Sequence, residues 1–202
     1  MHIAILTFEG FNELDSIIAF GILNRARPLG WRVSIASPTE TVRSMNGVVM
    51  QSHISLDAAN EADAVLVGSG ALTRDIAADT SLMSRLKLDP SRQLVGAQCS
   101  GTLLLAKLGL LDNVPACTDL TTKPWVLEAG VEVLNQPFFA RGNVATAGGC
   151  LSSQYLAAWC MARLEGKEAA CEAARSAIHY VAPVGEKEDY VSRAMANITP
   201  YL

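Results

Sequence analysis

The chain has 202 residues, of which 50% are hydrophobic and 18% are charged, and its formal net charge is -4. This composition excludes a disordered protein, and the negative charge offers no basic surface for nucleic acid. The length favours one domain over residues 1–202, because domains commonly contain about 100–200 residues.

The N-terminus lacks the basic start of a signal peptide, and Glu9 follows its first apolar run too soon. No apolar run approaches the roughly 18 residues that a membrane span needs. The five cysteines have no CxxC spacing, which indicates neither a disulfide framework nor a zinc site. We therefore expect a cytoplasmic protein with no membrane partner, no metal and mostly reduced, buried thiols.

Continuous apolar runs are typical of parallel strands that are covered on both faces. Strands are predicted at residues 3–8, 31–36, 64–67 and 94–98. Between them, helical spacing predicts helices at residues 14–27, 72–77 and 81–88, whereas residues 37–60 contain turns and short strands. The alternation of strands and helices favours a parallel sheet with right-handed crossovers.

The second half of the chain continues this pattern. Short strands are predicted at residues 116–118 and 131–134, and a hairpin at residues 138–146 turns at Gly142-Asn143. Further helices are predicted at residues 124–129, 151–164 and 168–181. The predicted fold class is therefore α/β, a doubly wound and mostly parallel sheet between helices.

Cys99 stands between a predicted strand and a predicted helix, in a turn flanked by Gly96 and Gly101. This arrangement is typical of a nucleophile elbow, and a helix N-terminus favours a thiolate with a lowered pKa. A free cysteine is also commonly a buried core residue, and the local sequence alone leaves these two interpretations open.

Three turns are expected to meet beyond the carboxyl ends of the strands, at residues 8–10, 68–70 and 98–100. They bring together the thiol, the carboxylate of Glu9 and the amide-rich turn at Ser69. The backbone N–H groups of Ser100 and Gly70 are candidates to receive negative charge that develops on a substrate.

Residues 96–106, with the sequence GAQCSGTLLLA, resemble the nucleophile segment of the ThiJ/PfpI superfamily. Residues 8–15 (FEGFNELD) are similar to the first strand and acidic helix start of that superfamily, and residues 146–149 (TAGG) to its late glycine turn. The resemblance spans nearly the whole chain. It implies a flavodoxin-like sandwich, a homodimer and a functional thiol at Cys99.

Proteases, glyoxalases and deglycases of that superfamily carry a Thr-His pair after the cysteine, and the corresponding pair here is Thr118-Asp119. None of the three histidines of this chain falls in a matching segment. The isocyanide hydratase branch is more similar, because it has a small hydroxyl residue after the cysteine, Ser100 here, and a carboxylate matching Asp15 against the thiol. This resemblance implies a hydratase that needs no cofactor, with Cys99 as the nucleophile and Asp15 as the acid and base.

Several alternatives remain open at this point. An Asp in the first turn of a helix is favoured by the helix dipole alone, and Glu9 is more typical of a solvated loop. Asp119, Gly149 and Cys150 are possible pocket residues, although Cys150 also fits a small buried residue at a helix start. The chain as a whole also fits a redox sensor or ligand-binding protein whose Cys99 is oxidised to sulfinic acid, an amidase or glyoxalase-type hydrolase without the usual His, and the sensing half of a transcription regulator.

Overall fold

The computed structural model describes residues 1–165 and 167–202. Within these residues the strands are β1 (His2–Leu6), β2 (Arg32–Ser37), β3 (Thr41–Arg43), β4 (Val49–Gln51), β5 (Ile54–Ser55), β6 (Ala64–Val67), β7 (Leu94–Gln98), β8 (Phe138–Arg141) and β9 (Val144–Ala147). The α-helices there are α1 (Glu13–Leu23), α2 (Leu56–Ala59), α3 (Thr73–Ala78), α4 (Thr80–Met83), α5 (Gly101–Lys107), α6 (Lys123–Glu128), α7 (Ser153–Leu164), α8 (Lys167–Val181) and α9 (Lys187–Ile198). Short 3-10 helices occur at Asn24–Leu29, Cys150–Ser152 and Thr199–Tyr201.

The main sheet has the strand order β5-β2-β1-β6-β7-β9-β8. Every neighbouring pair in it is parallel except β8 and β9, which form the hairpin predicted around Gly142. Strands β3 and β4 pair antiparallel in a separate small sheet. The predicted α/β class and the mostly parallel sheet are therefore confirmed.

Apolar residues cover both faces of the sheet, as the continuous apolar runs require. Along β1, Ile3 and Ile5 pack in one core cluster, whereas Ala4 and Leu6 pack in the cluster on the other face. The first cluster lies against α1, α7, α8 and α9, and the second contains residues of α2, α4, α5 and α6. Because β1, β6, β7 and β9 are parallel, their carboxyl ends lie along one edge of the sheet, where their loops meet.

Four predicted elements differ clearly from the structure. The helix predicted at residues 14–27 ends at Leu23 and continues as a 3-10 helix that contains Pro28, which lacks a backbone N–H. The strands predicted at residues 116–118 and 131–134 amount to one isolated bridge between Ala116 and Val133. The helix predicted at residues 81–88 is limited to α4, whose first turn is capped by Asp79 Oδ1.

None of the described helices combines the length and the apolar character that crossing a membrane requires.

Candidate active site at the Cys99 elbow

Cys99 occupies the turn between β7 and α5 with a φ of 46°. This left-handed conformation is strained for a residue with a Cβ, and it is characteristic of a nucleophile elbow. The Cys99 N–H donates to Ala147 O at 2.8 Å, which ties the turn to the end of β9. Gly101 is required beside it, because a Cβ at that position would lie 2.6 Å from Val67 O. The predicted strand, turn and helix are therefore present at this cysteine.

Asp15 lies in the first turn of α1, and its side chain is directed at the elbow. The residue is 1% exposed, and Asp15 Oδ2 accepts a hydrogen bond of 2.5 Å from Ser69 Oγ. Ser16 Oγ donates a longer bond of 3.5 Å to Asp15 Oδ1. A carboxylate oxygen of Asp15, Cys99 Sγ and Cys150 Sγ all lie within 4.8 Å of one another. The carboxyl group and the thiol that the sequence predicts to act together are thus neighbours.

Burial dominates the electrostatics of this pair. Desolvation raises the pKa of Asp15 from 3.8 to about 6, although the Ser69 hydroxyl opposes the shift. Desolvation and the charge of Asp15 also raise the pKa of the Cys99 thiol. The prediction that the Cys99 thiol has a lowered pKa is therefore wrong. Burial beside a carboxylate raises the pKa more than the N-terminus of the seven-residue helix α5 lowers it. Two negative charges in this space are costly, so at neutral pH the pair retains one proton and one negative charge.

Ser100 and Gly70 bind to each other. The Gly70 N–H donates to Ser100 Oγ at 3.1 Å, and Ser100 Oγ lies 2.7 Å from Thr73 Oγ1. The predicted role of the Gly70 amide as a free donor for substrate is therefore not supported, since its hydrogen is already bonded. The Ser100 N–H, in contrast, has no acceptor among residues 1–165 and 167–202.

Ser69 also differs from the expectation that its turn faces substrate. Its hydroxyl is directed at Asp15, and its carbonyl accepts from the Asn12 N–H at 2.8 Å. Ser69 is 6% exposed at the wall of the cavity. Its side chain therefore positions the carboxyl group, and substrate would meet only its outer surface.

A cleft of about 400 Å³ opens above the thiol. Met45 and Trp125 supply apolar surface on its walls, and Asp119 supplies a carboxylate. Neither Met45 nor Trp125 was predicted from the sequence as a pocket residue. The cleft therefore suits a small molecule with an apolar body and a reactive polar end.

The remaining predicted pocket residues divide into two groups. Asp119, Gly149 and Cys150 line the cleft, whereas Glu9 is exposed and its Oε2 accepts from the Arg43 N–H at 3.0 Å. Asp119 Oδ1 also accepts from the N–H groups of Thr121 and Thr122, at 2.9 and 3.0 Å. Asp119 thus faces the pocket and organises the loop before α6, and Glu9 is removed from the set of pocket residues.

Two side-chain amides complete the surroundings of the thiols, and the sequence did not single them out. Gln98 Nε2 lies 3.7 Å from Cys99 Sγ and donates to Gly149 O at 3.0 Å. Asn12 Nδ2 donates to Cys150 Sγ at 3.2 Å, while Asn12 Oδ1 caps α1. Asparagine is common at helix N-caps, but no sequence signal pairs Asn12 with Cys150.

All three histidines of the chain lie away from this cleft. His2 Nε2 contacts Ser34 Oγ at 3.0 Å, His53 Nδ1 accepts from the Ile35 N–H at 3.0 Å, and His179 lies 3.6 Å from Glu188. The ionisable neighbours of the Cys99 thiol are therefore the Asp15 carboxyl group and the Cys150 thiol, and none of the three imidazoles lies beside it.

The cluster of Asp15, Cys99 and Cys150 is also the one set of three potential metal ligands within 4.8 Å among the described residues. Thiolate and carboxylate donors are compatible with zinc, but a closed structural zinc site has four protein ligands. Both Asp15 oxygens already accept hydroxyl hydrogens. We therefore interpret the cluster by its proton chemistry.

Comparison with known proteins supports the same fold. The sequence profile of the DJ-1/PfpI family matches residues 1–163. No curated protein sequence matches the chain.

Solved structures with a similar fold include a ThiJ/PfpI family protein from Pseudomonas syringae, with a TM-score of 0.78, 17% identity, and coverage of 98% of this chain and 87% of that one. A variant of the DJ-1 superfamily protein STM1931 from Salmonella typhimurium has a TM-score of 0.74, 22% identity and coverage of 90% and 98%. DJ-1 of Schizosaccharomyces pombe has a TM-score of 0.75, 15% identity and coverage of 91% and 100%. At these identities the likeness is one of fold.

Proposed function

The chain belongs to the DJ-1/PfpI family, and on that basis we propose that it is a cofactor-independent cysteine hydratase, which adds water to an isocyanide or a similar small electrophile to give an N-formamide. The observation that carries the proposal is the pairing of Cys99 with the buried Asp15. The family also contains enzymes of other kinds and members that are not enzymes, and the Cys99–Asp15 pair is the feature that favours a hydratase among them.

The proposed reaction begins with the pair carrying one negative charge. The Asp15 carboxylate takes the proton of the Cys99 thiol, and the resulting thiolate attacks the terminal carbon of the isocyanide and forms a carbon–sulfur bond. Asp15 then donates this proton to that carbon. The product of this step is a thioimidate on Cys99. Asp15 is left as a carboxylate, which is the base that the second step needs.

In the second step the Asp15 carboxylate takes a proton from water as the hydroxide adds to the thioimidate carbon, and this proton passes to nitrogen. The tetrahedral intermediate then expels the Cys99 thiolate as its hydroxyl proton returns to Asp15. One water is consumed, one formamide is released, and the pair regains its starting proton. In this proposal the Ser100 N–H, which has no acceptor among the described residues, donates to the developing charge.

A hydrolase of the Cys-His type is the alternative from the same family. Hydrolysis of an amide needs an acid to protonate the leaving amine, and in the related enzymes an imidazole accompanies the thiol. All three histidines here bond elsewhere, at Ser34, Ile35 and Glu188. Hydration has no leaving amine, so one carboxyl group is sufficient for it.

The test incubates the protein with cyclohexyl isocyanide and measures the formamide produced over time by chromatography. Cys99→Ala is expected to reduce the rate to that of buffer. Asp15→Asn is expected to lose a factor of about 100 or more, in the range typical of a general acid–base group. Cys171→Ala is the matched control, because Cys171 lies in α8 and outside the cleft. Equal rates for the wild type and Cys99→Ala would reject the hydratase.

A further inference from the structure

A second thiol stands next to the proposed nucleophile. Cys99 Sγ and Cys150 Sγ lie within 4.8 Å of each other, and both residues line the cleft. The two cysteines are on separate loops, at the end of β7 and after the Gly148-Gly149 turn. Cys117 and Cys160, in contrast, are fully buried in the core. Only one pair of thiols in the described part of the chain therefore shares an opening to solvent.

The position of Cys150 is held by a hydrogen bond that directs its sulfur toward the cleft. Asn12 Nδ2 donates to Cys150 Sγ at 3.2 Å, and an amide donor at this distance favours sulfur with a lone pair or a negative charge facing it. Cys150 is half-buried and begins a short 3-10 helix. The hydration mechanism above gives the Cys150 thiol no role, although this thiol is held beside the reacting sulfur.

From this geometry we propose that Cys150 is a resolving cysteine, which converts Cys99 oxidised by a hydroperoxide into a reversible Cys99–Cys150 disulfide. In the first step the Cys99 thiolate attacks one oxygen of hydrogen peroxide, the oxygen–oxygen bond breaks, and a sulfenic acid and water form with a proton from Asp15. In the second step the Cys150 sulfur attacks the Cys99 sulfur and expels a second water. Two thiols and one peroxide thus give one disulfide and two waters.

The sulfur atoms must approach from within 4.8 Å to a bond length of about 2.05 Å. The proposal requires rotation of both cysteine side chains, which line the same cleft, to supply this approach. The disulfide occupies the nucleophile, so oxidation switches off every reaction of Cys99. It also prevents a second peroxide from carrying the sulfenic acid on to sulfinic acid, which thiols do not reverse.

The proposal is independent of the isocyanide reaction, because its readout is the mass of the protein. The full chain is reduced, treated with hydrogen peroxide and alkylated, and then measured intact and after digestion. We expect the wild type to lose two hydrogen atoms, to yield a cross-linked pair of peptides containing Cys99 and Cys150, and to return to the reduced mass with dithiothreitol.

Cys150→Ser is expected to gain two oxygen atoms on Cys99 and to resist dithiothreitol. Cys150→Ala serves as a second variant, with circular dichroism to show that each is folded, and Cys171→Ser is the control that should behave as the wild type. Sulfinic acid on Cys99 in the wild type, at the same rate as in Cys150→Ser, would overturn the proposal. So would a disulfide that joins Cys99 to any other cysteine. Neither result depends on whether the reduced protein hydrates isocyanides.

Asn12→Ser tests the contribution of the amide donor. Serine retains the ability to cap α1, so the variant removes chiefly the bond to Cys150 Sγ. We expect a larger fraction of sulfinic acid relative to disulfide at equal peroxide. An unchanged ratio would show that Asn12 does not position the resolving thiol.

Discussion

The Ser69 hydroxyl donates a hydrogen bond of 2.5 Å to Asp15 Oδ2, across 54 residues of sequence. The bond is buried, and it favours the ionised carboxylate against the desolvation that raises the Asp15 pKa to about 6. Ser69 therefore tunes the acidity of the carboxyl group that faces the nucleophile.

The pH profile of the proposed hydratase should have an acid limb near pH 6. The reactive form of the Cys99 and Asp15 pair carries one proton, and kcat/KM falls as the pair takes a second proton below the Asp15 pKa of about 6. The measurement is kcat/KM from pH 5 to 8, with the rate of Cys99→Ala subtracted at each pH. A constant kcat/KM over this range would contradict the assignment.

Replacing Ser69 by alanine should move that acid limb to higher pH. The Ser69 hydrogen bond favours the ionised carboxylate, so its loss raises the Asp15 pKa. Ser16→Ala is the matched control, because Ser16 Oγ lies 3.5 Å from Asp15 Oδ1 and contributes least among the hydrogen bonds to this group. Equal shifts for the two variants would show that Ser69 has no special role.

The elevated Asp15 pKa also predicts how stability varies with pH. Between the unfolded value of 3.8 and the folded value of about 6, the folded protein binds more protons, so the free energy of unfolding falls as pH rises. The total contribution of this group is about 3 kcal/mol. Asp15→Asn cannot ionise, and it should therefore gain stability relative to the wild type between pH 4 and pH 7.

Urea denaturation of both proteins at pH 4, 5, 6 and 7 measures this difference. Comparing the two proteins at each pH removes the contributions of the other carboxyl groups, which titrate in both. A stability difference that does not change with pH would mean that Asp15 is ionised in the folded state with an ordinary pKa.

Close packing at the elbow should make the protein sensitive to substitution of Gly101. A Cβ there would lie 2.6 Å from Val67 O and 2.8 Å from Gly68 O, and both are backbone atoms that cannot move aside cheaply. Gly101→Ala should lose about 2 kcal/mol or more of stability, as expected for overpacking, and should reduce activity by displacing the turn. Thermal unfolding and the formamide assay measure the two effects.

Gly21 provides the control, because it lies inside α1 and a Cβ there would meet no atom within 4 Å. Gly21→Ala should gain about 0.5–1 kcal/mol, since alanine is favoured over glycine in a helix interior. A comparable loss of stability in both variants would show that the contacts at Gly101 are not the cause.

Elements in which every residue is buried could be predicted from the sequence. Strands β6 and β7 were predicted to the residue, because a strand covered on both faces is an unbroken apolar run. The helix α9 was not predicted. Its buried residues, Ala194, Met195 and Ile198, lie near its end, behind a strongly charged first turn.

The candidate site was predictable to the level of its loops. The turn at Cys99 followed from its flanking residues, and the placement of Asp15 against it from the resemblance to a family. The contact of Asn12 with Cys150 spans 138 residues and depends on the conformations of two loops. No local pattern encodes such a contact, so only the structure could provide it.

The φ of 46° at Cys99 has a consequence for engineering. A side chain in this conformation costs about 1–2 kcal/mol that glycine would avoid, and the neighbouring Asp15 is likewise destabilising at neutral pH because it is buried. A laboratory selection for heat resistance alone would therefore enrich changes at these two positions. A selection for thermostable variants of this protein should therefore also require a reactive Cys99 thiol. The most accessible gains in stability coincide with loss of the chemistry of that thiol.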